Sequence, residues 1–382
     1  MAQQGDSVWT RHLEQTDGAN VTDARRDPWE PPRSGEAVLV LGAAVGEECV
    51  RAVADVGREG RVIGIETSDE LLSLTRAQLP AAAGSAGHEN LTFRKARLDD
   101  LKLDRERVNA WLREHPVQRD ADLAALEATI ERLRTEAPAV ADDSIDVVIA
   151  RGALTQVTPA TARAMFAEIF RVLRKGGRVL LSGAASDEDV PERLRTHPTL
   201  AAAGITGTVR EDEIVQALES ASFYGTQIVE RSEAPRWTVE GIELRDLVVV
   251  AYKGKEGPCW ECNQALIYRG PFKRVEDDDG HVLHRGVRIA VCEKTFRIFS
   301  QQPYRDHVEL VQPAVPIAVE TAEPFPCSEA AIIRDPRAQK GTLASSSVPA
   351  PAGPPAPAPS PKAAKAPQTG GSSCAPGSGC CP

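Results

Sequence analysis

The chain has 382 residues, with 45 Lys and Arg against 55 Asp and Glu, so its formal net charge is −10. This acidic balance argues against a nucleic-acid-binding protein, because neutralising phosphates requires a basic surface. No apolar run approaches the roughly 18 residues that a membrane-spanning helix needs, and the first residues lack the apolar stretch of a signal sequence. We therefore expect a cytoplasmic protein with no nucleic-acid partner and no membrane partner.

Apolar runs alternate with helical patterns through the first part of the chain. Such alternation requires parallel crossovers between strands, so it predicts an α/β fold with a doubly wound, mostly parallel sheet. Two later runs, at residues 226–229 and 247–252, are expected to extend this sheet at its edge. The predicted strands of the parallel part are 37–41, 61–66, 91–93, 146–150 and 178–182, and the predicted helices are 47–56, 69–79, 101–135 with a break at His115-Pro116, and 161–174.

The composition changes at both ends of the sheet domain. A polar arm with a short helix at residues 9–13 precedes it, and a small β-rich module follows it. The last forty residues are mostly Ser, Pro, Ala and Gly, so they cannot bury enough apolar surface to offset the entropy of ordering, and we expect them to be disordered. The predicted divisions are the arm 1–35, the sheet domain 36–252, the module 253–315, a linker 316–342 and the tail 343–382.

A glycine turn joins the first predicted strand to its helix. Gly42 and Gly46 bracket this turn, and Glu66 ends the second strand about twenty residues later. The turn places backbone N–H groups and a helix N-terminus beside any ligand above the sheet edge. An acid at the position of Glu66 can accept both hydroxyls of a ribose. Because no Walker lysine follows, the pattern favours a nucleoside without a triphosphate over ATP.

Eight cysteines lie mostly in the last third of the chain. A disulfide-stapled fold would spread its cysteines through a short chain. In a cytosolic chain, the pairs Cys259-x-x-Cys262 and Cys380-Cys381 favour binding of a metal or metalloid, or thiol chemistry. For Cys292 and Cys327, an ordinary buried or solvent-tolerated thiol is the open alternative.

Several motifs resemble the S-adenosylmethionine-dependent methyltransferases of the class I Rossmann-like fold, and more specifically the arsenite methyltransferase family. The resemblance covers roughly residues 36 to 312. The motifs that carry it are GEEC at 46–49, RVIGIETSDE at 61–70, FRVLRKGG at 170–177, SDEDVP at 186–191, IYRGPF at 267–272, DDDGH at 277–281 and VCEKT at 291–295.

This resemblance implies that S-adenosylmethionine is the cofactor and that it lies across residues 42–46. Glu66 is then expected to hold the ribose, and Leu98 and Asp99 to lie near the adenine. The full set of expected cofactor-binding residues is Gly42, Ala44, Gly46, Glu66, Thr67, Leu98 and Asp99. The chain departs from the family at Val40, where an acid is usual, and at Ala44, where a middle glycine is usual.

The resemblance also implies a substrate, arsenite or As(III)-glutathione, a thiol reductant such as glutathione or thioredoxin, and a role in arsenic detoxification. The family surrounds trivalent arsenic with cysteine thiolates, and only the first of these is present here, as Cys49. Gly152 and Gly204 stand where the other two are expected. We therefore assign the catalytic thiolate to Cys49. The other candidate ligands for As(III) are Cys259, Cys262, Cys374, Cys380 and Cys381.

Trivalent arsenic is soft and thiophilic, so thiolates are its natural ligands. Two or three sulfurs leave a lone pair on arsenic that can attack the sulfonium methyl group in line, and the protein mainly positions the two reactants. Three hypotheses follow from the sequence. The chain is a methyltransferase for thiol-bound arsenic, a non-catalytic or weakly active relative that binds As(III) through cysteines, or a methyltransferase for a small organic substrate.

Overall fold

The computed structural model describes residues 30–42, 45–82, 90–198, 200, 207–327 and 331–341. A nine-stranded sheet dominates this part of the chain. Its strands are β1 (Ala37–Leu41), β2 (Arg61–Glu66), β3 (Leu91–Lys95), β4 (Ile145–Arg151), β5 (Leu173–Ser186), β6 (Val209–Arg210), β7 (Tyr224–Arg231), β8 (Trp237–Val239) and β9 (Ile242–Tyr252). The main path runs in the order β3-β2-β1-β4-β5-β9-β7. The first five strands of this path are parallel, and β9 and β7 extend the sheet at its edge, as the sequence predicts, where they pair antiparallel.

Helices connect the parallel strands and confirm the predicted alternation. They are α1 (Val45–Val56), α2 (Asp69–Ala82), α3 (Arg105–Glu114), α4 (Asp120–Glu136), α5 (Pro159–Val172), α6 (Glu192–Arg195) and α7 (Glu211–Ser220). The predicted break at His115-Pro116 separates α3 from α4. The predicted strand 178–182 is longer in the structure, because β5 begins at Leu173, directly after α5, and ends at Ser186. The Lys175-Gly176-Gly177 segment, which directly follows the predicted helix 161–174, lies within this strand, and the Gly176 N–H donates to the Lys253 carbonyl at 2.7 Å.

Apolar side chains cover both faces of the parallel strands. Leu39 and Leu41 belong to one buried layer, together with Phe166 and Ile169 of α5. Val38 and Val40 belong to the other layer, on the side of α1. Because successive residues of a strand point to opposite faces, a continuous apolar run is what a doubly covered sheet requires.

A second, smaller unit follows the sheet. Its elements are β10 (Trp260–Glu261), β11 (Gln264–Tyr268), β12 (Arg274–Glu276), β13 (Val282–His284), β14 (Arg288–Val291), α8 (Glu293–Phe299), β15 (Val308–Val311), β16 (Glu323–Pro324) and α9 (Pro336–Gln339). Strands β14, β11 and β15 form an antiparallel sheet, β12 pairs with β13, and β10 pairs with β16. This is the predicted β-rich module.

The module joins the large sheet at the end where the parallel strands begin. Tyr224 of β7 lies in the buried cluster of the module and stacks on Tyr304, with ring centroids 6.4 Å apart. The register of the sheet places Tyr224 in one row with Tyr252, Arg178, Val147 and Val38. This row crosses β1 and β4 near their first residues. The carboxyl ends of β1, β2 and β4, next to the glycine turn, therefore lie at the opposite end of the sheet.

The structure corrects the prediction that residues 316–342 are a linker. In its described part, β16 pairs with β10, and the Arg334 guanidinium contacts both carboxylate oxygens of Glu261 at 2.8 Å. Gln339 is buried and donates to the carbonyl of Asn263 at 2.9 Å. These polar contacts join the segment to the module. Because they leave no apolar periodicity, the hydrophobic pattern gave no sign of them.

Several expectations from the sequence lie outside the described residues. They concern the helix at residues 9–13, Ala44, Gly204 and the tail 343–382 with Cys374, Cys380 and Cys381. Among the helices of the described ranges, each is too short or too polar to cross a lipid bilayer.

Two truncations test where the module ends. Removing residues 343–382 is expected to leave the thermal midpoint unchanged, because that composition contributes no core. Removing residues 331–382 is expected to cost about 2–4 kcal/mol, because it deletes the Arg334–Glu261 pair and the buried Gln339. Calorimetric melting of both variants measures the difference. Equal midpoints for the two would mean that residues 331–341 contribute nothing to the module.

Candidate functional site

The first glycine of the turn lies where two segments of backbone meet. Gly42 has φ of +100°, and a Cβ there would lie 2.7 Å from the Arg151 carbonyl oxygen and 2.9 Å from the Ala153 nitrogen. Any other residue would clash with this backbone. The end of β1 therefore lies directly against the chain that leaves β4.

The second glycine is part of a helix. Gly46 lies in the first turn of α1, and a Cβ there would approach Thr75 Cγ2 of α2 to 3.1 Å. Its small size allows α1 and α2 to pack closely at the edge where the turn ends. Close packing thus explains why glycine occupies both positions, and neither glycine by itself indicates a ligand.

Glu66 ends β2 and is 6 % exposed. Its Oε1 accepts the backbone N–H groups of Thr67 at 2.7 Å and Ser68 at 2.9 Å. Among the described residues, every hydrogen bond that this carboxylate accepts is accepted by Oε1. Oε2 therefore remains able to accept hydroxyl donors at the sheet edge. Lys95 lies opposite Glu66 in the ladder and forms an ion pair with Asp69.

The residues after β3 lie at the same edge. Leu98 is buried, and Asp99 forms a two-point ion pair with Arg97, at 2.8 Å and 2.6 Å. The hydrogen bonds from Arg97 hold the pKa of Asp99 below its usual value. A carboxylate oxygen has room for more than one donor, so an adenine amino group could share Asp99 with Arg97.

These positions agree with a nucleoside cofactor. The structure brings Gly42, Glu66 and Asp99 to the carboxyl edge of β1, β2 and β3, which is where doubly wound sheets bind ligands. Glu66 offers a buried carboxylate with acceptor capacity at this edge, whereas the space beside Gly42 is occupied by the backbone of Arg151 and Ala153. Val40, where the family usually has an acid, is a buried apolar residue of β1.

Sequence reasoning missed an ion pair beside the glycine turn. Arg151 ends β4, and its Nε lies 3.1 Å from Oε1 of Glu48, a residue of α1 that is buried. The pair connects the two segments that approach each other at Gly42. The two residues are about a hundred positions apart in the sequence, so the local pattern contains no signal for their contact.

Cys49, expected to be the catalytic thiolate, lies on the inner face of α1. Its side chain is fully buried in an apolar cluster with Ala52, Val56 and strand residues that include Val62. Burial, with a smaller contribution from the negative charge of Glu48, raises the pKa of its thiol well above the usual range. This is the environment of a packed thiol and not of a nucleophile. A ligand role for Cys49 stays a prediction, and its placement does not support it.

Two substitutions at Cys49 distinguish packing from chemistry. We expect Cys49→Ala to cost about 1–2 kcal/mol of unfolding free energy, and Cys49→Ser to cost more, because a hydroxyl in an apolar site loses its hydrogen bonds to water. We expect neither to remove methyltransferase activity from the protein that remains folded. Urea unfolding and an activity assay test this. Loss of activity in both variants at unchanged stability would restore the catalytic role.

Among the described residues, the predicted pair Cys259 and Cys262 does not share one group of potential ligands. Residues three apart in an extended strand are separated by about 10 Å and point to opposite faces, and β10 lies between these two. Cys262 is buried, and burial raises the pKa of its thiol. Cys259 instead lies with Cys292 and Cys327, and the three Sγ atoms are all within 4.8 Å of one another. We call these three residues the thiol cluster.

Three elements of the module bring the thiol cluster together. Cys259 precedes β10 and Cys327 follows β16, and because these strands are antiparallel, the two cysteines lie at the same end of the ladder. The Phe325 N–H donates to the Cys259 carbonyl at 2.8 Å. Cys292 precedes α8, and its Sγ accepts the Thr295 N–H at 3.4 Å. Sequence reasoning left Cys292 and Cys327 open as ordinary thiols.

Cys259 and Cys327 differ in acidity. Burial acts to raise the pKa of Cys259, but hydrogen bonds from Cys327 and Cys292 and the positive charge of Lys294 outweigh it, so the pKa is lowered. Burial and the neighbouring Cys259 raise the pKa of Cys327. Cys259 is therefore a stronger acid than Cys327.

Comparisons with known proteins agree with this architecture. A model described as "Methyltransferase domain" matches residues 112–181, and a model described as "Domain of unknown function (DUF8838)" matches residues 255–344. The second match covers the module together with the segment that follows β15.

Two relatives in sequence are named arsenite methyltransferases. One, from Halobacterium salinarum, is 26 % identical over 56 % of this chain and 44 % of its own length. The other, from Aquipseudomonas alcaligenes, is 23 % identical over 72 % of this chain and 73 % of its own. This chain therefore spans less than half of the halobacterial relative.

A solved structure described as an arsenic (III) S-adenosylmethionine methyltransferase from Chlamydomonas reinhardtii is 19 % identical, with a TM-score of 0.48, over 76 % of this chain and 91 % of that one. The domain match covers residues 112–181, from α3 to β5 of the large sheet. The chain is thus similar to methyltransferases over part of its sheet domain, and similar in sequence to relatives named arsenite methyltransferases.

Proposed function

We propose that this protein transfers a methyl group from S-adenosylmethionine to trivalent arsenic held by thiolates. The observation that carries the proposal is the similarity of most of the chain to relatives named arsenite methyltransferases. The placement of Gly42, Glu66 and Asp99 at one sheet edge supports it. When bound, S-adenosylmethionine supplies an electrophilic methyl group on a positively charged sulfur.

The residues at the carboxyl edge of β1, β2 and β3 would position the cofactor. Gly42 would act indirectly, because the absence of a side chain lets the end of β1 lie against the backbone that follows β4 and so sets the shape of this edge. Glu66 would accept the ribose hydroxyls on Oε2 while Oε1 stays on the following turn. Asp99 would accept the adenine amino group beside Arg97. Each contact fixes orientation, which is the main contribution that a protein makes to such a transfer.

The acceptor arsenic needs thiolates that the α1 face does not provide. Cys49 is fully buried, and Gly152, where a second family cysteine is expected, has φ of +64° and lies at the end of β4. The proposal therefore places the arsenic on thiols from outside the sheet domain, either those of glutathione or the cysteines at 374, 380 and 381.

The lone pair of the arsenic forms the new arsenic–carbon bond as the sulfur–methyl bond breaks and a neutral thioether leaves. The arsenic is oxidised formally by two electrons, and a thiol reductant, glutathione or thioredoxin, returns it to the trivalent state.

Two measurements on the full chain test the proposal. Calorimetry with S-adenosylmethionine is expected to show binding. Incubation with S-adenosylmethionine, arsenite and glutathione is expected to yield methylated arsenic species and one S-adenosylhomocysteine for each methyl group transferred, both measured by chromatography. Absence of cofactor binding would overturn methyl transfer as a whole. If the protein bound the cofactor and methylated a small organic nucleophile but not arsenic, the assignment of arsenic as the substrate would be wrong.

The thiol cluster favours a second candidate function. Three thiols within 4.8 Å of one another suit capture of As(III) without catalysis. Arsenite binding by a chain that binds no S-adenosylmethionine is the result that would select this non-catalytic alternative.

A further inference from the structure

The thiol cluster lies far from the edge at which methyl transfer is proposed. Cys259 follows the segment in which Gly176 bonds to Lys253 and the Lys175 ammonium donates to the Glu256 carbonyl at 2.8 Å. These contacts belong to the amino-terminal end of the parallel strands. The glycine turn and Glu66 belong to the carboxyl-terminal end. A ligand of the thiol cluster is thus separated from the cofactor edge by the sheet itself.

The sulfur positions suit a single ion. A bond between a thiolate and a thiophilic ion is about 2.3 Å long, so two sulfurs on one ion lie at most about 4.6 Å apart. The three Sγ atoms already lie within 4.8 Å of one another, without an ion. Their segments are held by the β10–β16 ladder and by the hydrogen bonds around Cys292, so little rearrangement is needed.

The number of ligands distinguishes between ions. Structural zinc takes four ligands, and within the described ranges no further His, Cys, Asp or Glu side chain completes the group. Lys294 places a positive charge near Cys259, and this charge repels a metal cation. Trivalent arsenic, in contrast, completes its shell with three sulfurs and keeps a lone pair.

Charge balance points to the same ligand. Arsenous acid and three thiols form three arsenic–sulfur bonds and release three waters, with no change of oxidation state. The product carries no net charge. A neutral complex suits Cys292, which is 1 % exposed, because burying a net charge there would be costly.

We propose that Cys259, Cys292 and Cys327 form a three-coordinate binding site for trivalent arsenic, separate from the site of methyl transfer. The inference rests on the sulfur positions and holds whether or not the chain methylates arsenic. Bound arsenic would join the segment before β10, the start of α8 and the chain after β16. The module would then be stabilised by its ligand, since binding to the folded state alone raises apparent stability.

The test uses the full chain with the tail thiols removed by Cys374→Ser, Cys380→Ser and Cys381→Ser. In this background, reduced with a phosphine, Cys259→Ser, Cys292→Ser and Cys327→Ser are made one at a time. Cys262→Ser is the matched control, because Cys262 is a buried cysteine of the same module outside the cluster. Serine is well suited to the position of Cys292 before a helix, which favours folding of that variant.

Sodium arsenite alone is the probe, without S-adenosylmethionine. The background protein and Cys262→Ser are expected to bind one arsenic per chain, with three sulfurs by X-ray absorption and a higher melting temperature. Each cluster substitution is expected to weaken arsenite binding about 100-fold or more, because one tethered ligand is lost. Fluorescence of Trp260, next to Cys259, provides the titration signal.

Several results would overturn the site. The background protein could bind no arsenite, or bind it with two sulfurs. The cluster variants, shown to be folded by circular dichroism, could bind as tightly as the control. Zinc at equal concentration could displace the arsenic. Because none of these readouts uses methylation, failure here and failure of the proposed enzyme activity are distinguishable.

Discussion

A Gly42→Ala protein is expected to lose about 2–5 kcal/mol of unfolding free energy and to bind no measurable S-adenosylmethionine. The alanine Cβ would lie 2.7 Å from the Arg151 carbonyl oxygen, and this obstacle is backbone that cannot rotate away. The residue also has φ of +100°, which side chains disfavour. Relief requires the end of β1 to separate from the chain after β4. That movement would change the edge on which the cofactor is proposed to lie.

Gly241→Ala is the matched control for this prediction. Gly241 has a similar φ of +95°, but a Cβ there meets nothing within 4 Å. The control carries only the conformational strain, about 1–2 kcal/mol, and keeps the cofactor edge intact. Urea unfolding and calorimetry compare the two. If both variants lost the same stability and both bound cofactor, the close backbone contact at Gly42 would be unimportant.

The order of strands and helices was predictable because both faces of the sheet are buried. Runs such as 37–41 and 61–66 are continuous in apolar residues only when helices cover each side, and the structure places them so. The segment 316–341 was not predictable in this way. Arg334 and Gln339 hold it to the module by polar contacts, which leave no hydrophobic period.

The assignment of Cys49 illustrates a signal that was present and not used. Cys49, Ala52 and Val56 are spaced three and four residues apart, which is the repeat of the buried face of a helix. The structure shows all three packed in one apolar cluster. The helical repeat therefore predicts a core position, whereas the family resemblance predicts a ligand. The repeat agrees with the observed burial.

The thiol cluster could not be found from spacing. Its members are 33 and 35 residues apart along the chain, since 292 − 259 = 33 and 327 − 292 = 35. Only the pairing of β10 with β16 and the packing of α8 bring them together. The visible pair, Cys259-x-x-Cys262, is separated by an extended strand. A short motif of this kind is a ligand pair only where the backbone turns between its members.

Glu66→Ala is expected to weaken S-adenosylmethionine binding by about 1–3 kcal/mol, roughly 5- to 150-fold in Kd. The carboxylate would lose its bonds to the ribose hydroxyls, and the turn at Thr67 and Ser68 would lose its acceptor. These two losses must be separated. Glu66→Gln keeps an acceptor for the turn but places an amide where Oε2 stands, so we expect a smaller loss than with alanine.

Ser68→Ala is the control for the turn at Glu66. Its hydroxyl accepts the Leu71 N–H at 3.3 Å at the start of α2, so its loss loosens the same segment while the carboxylate stays. We expect the affinity of this variant for S-adenosylmethionine to stay within about twofold of the unaltered protein, because an exposed hydrogen bond contributes little. Calorimetry on all three variants, each checked for folding, ranks them. Equal Kd values for Glu66→Ala and the unaltered chain would remove Glu66 from the cofactor site, whereas equal losses in Glu66→Ala and Ser68→Ala would assign it to the turn alone.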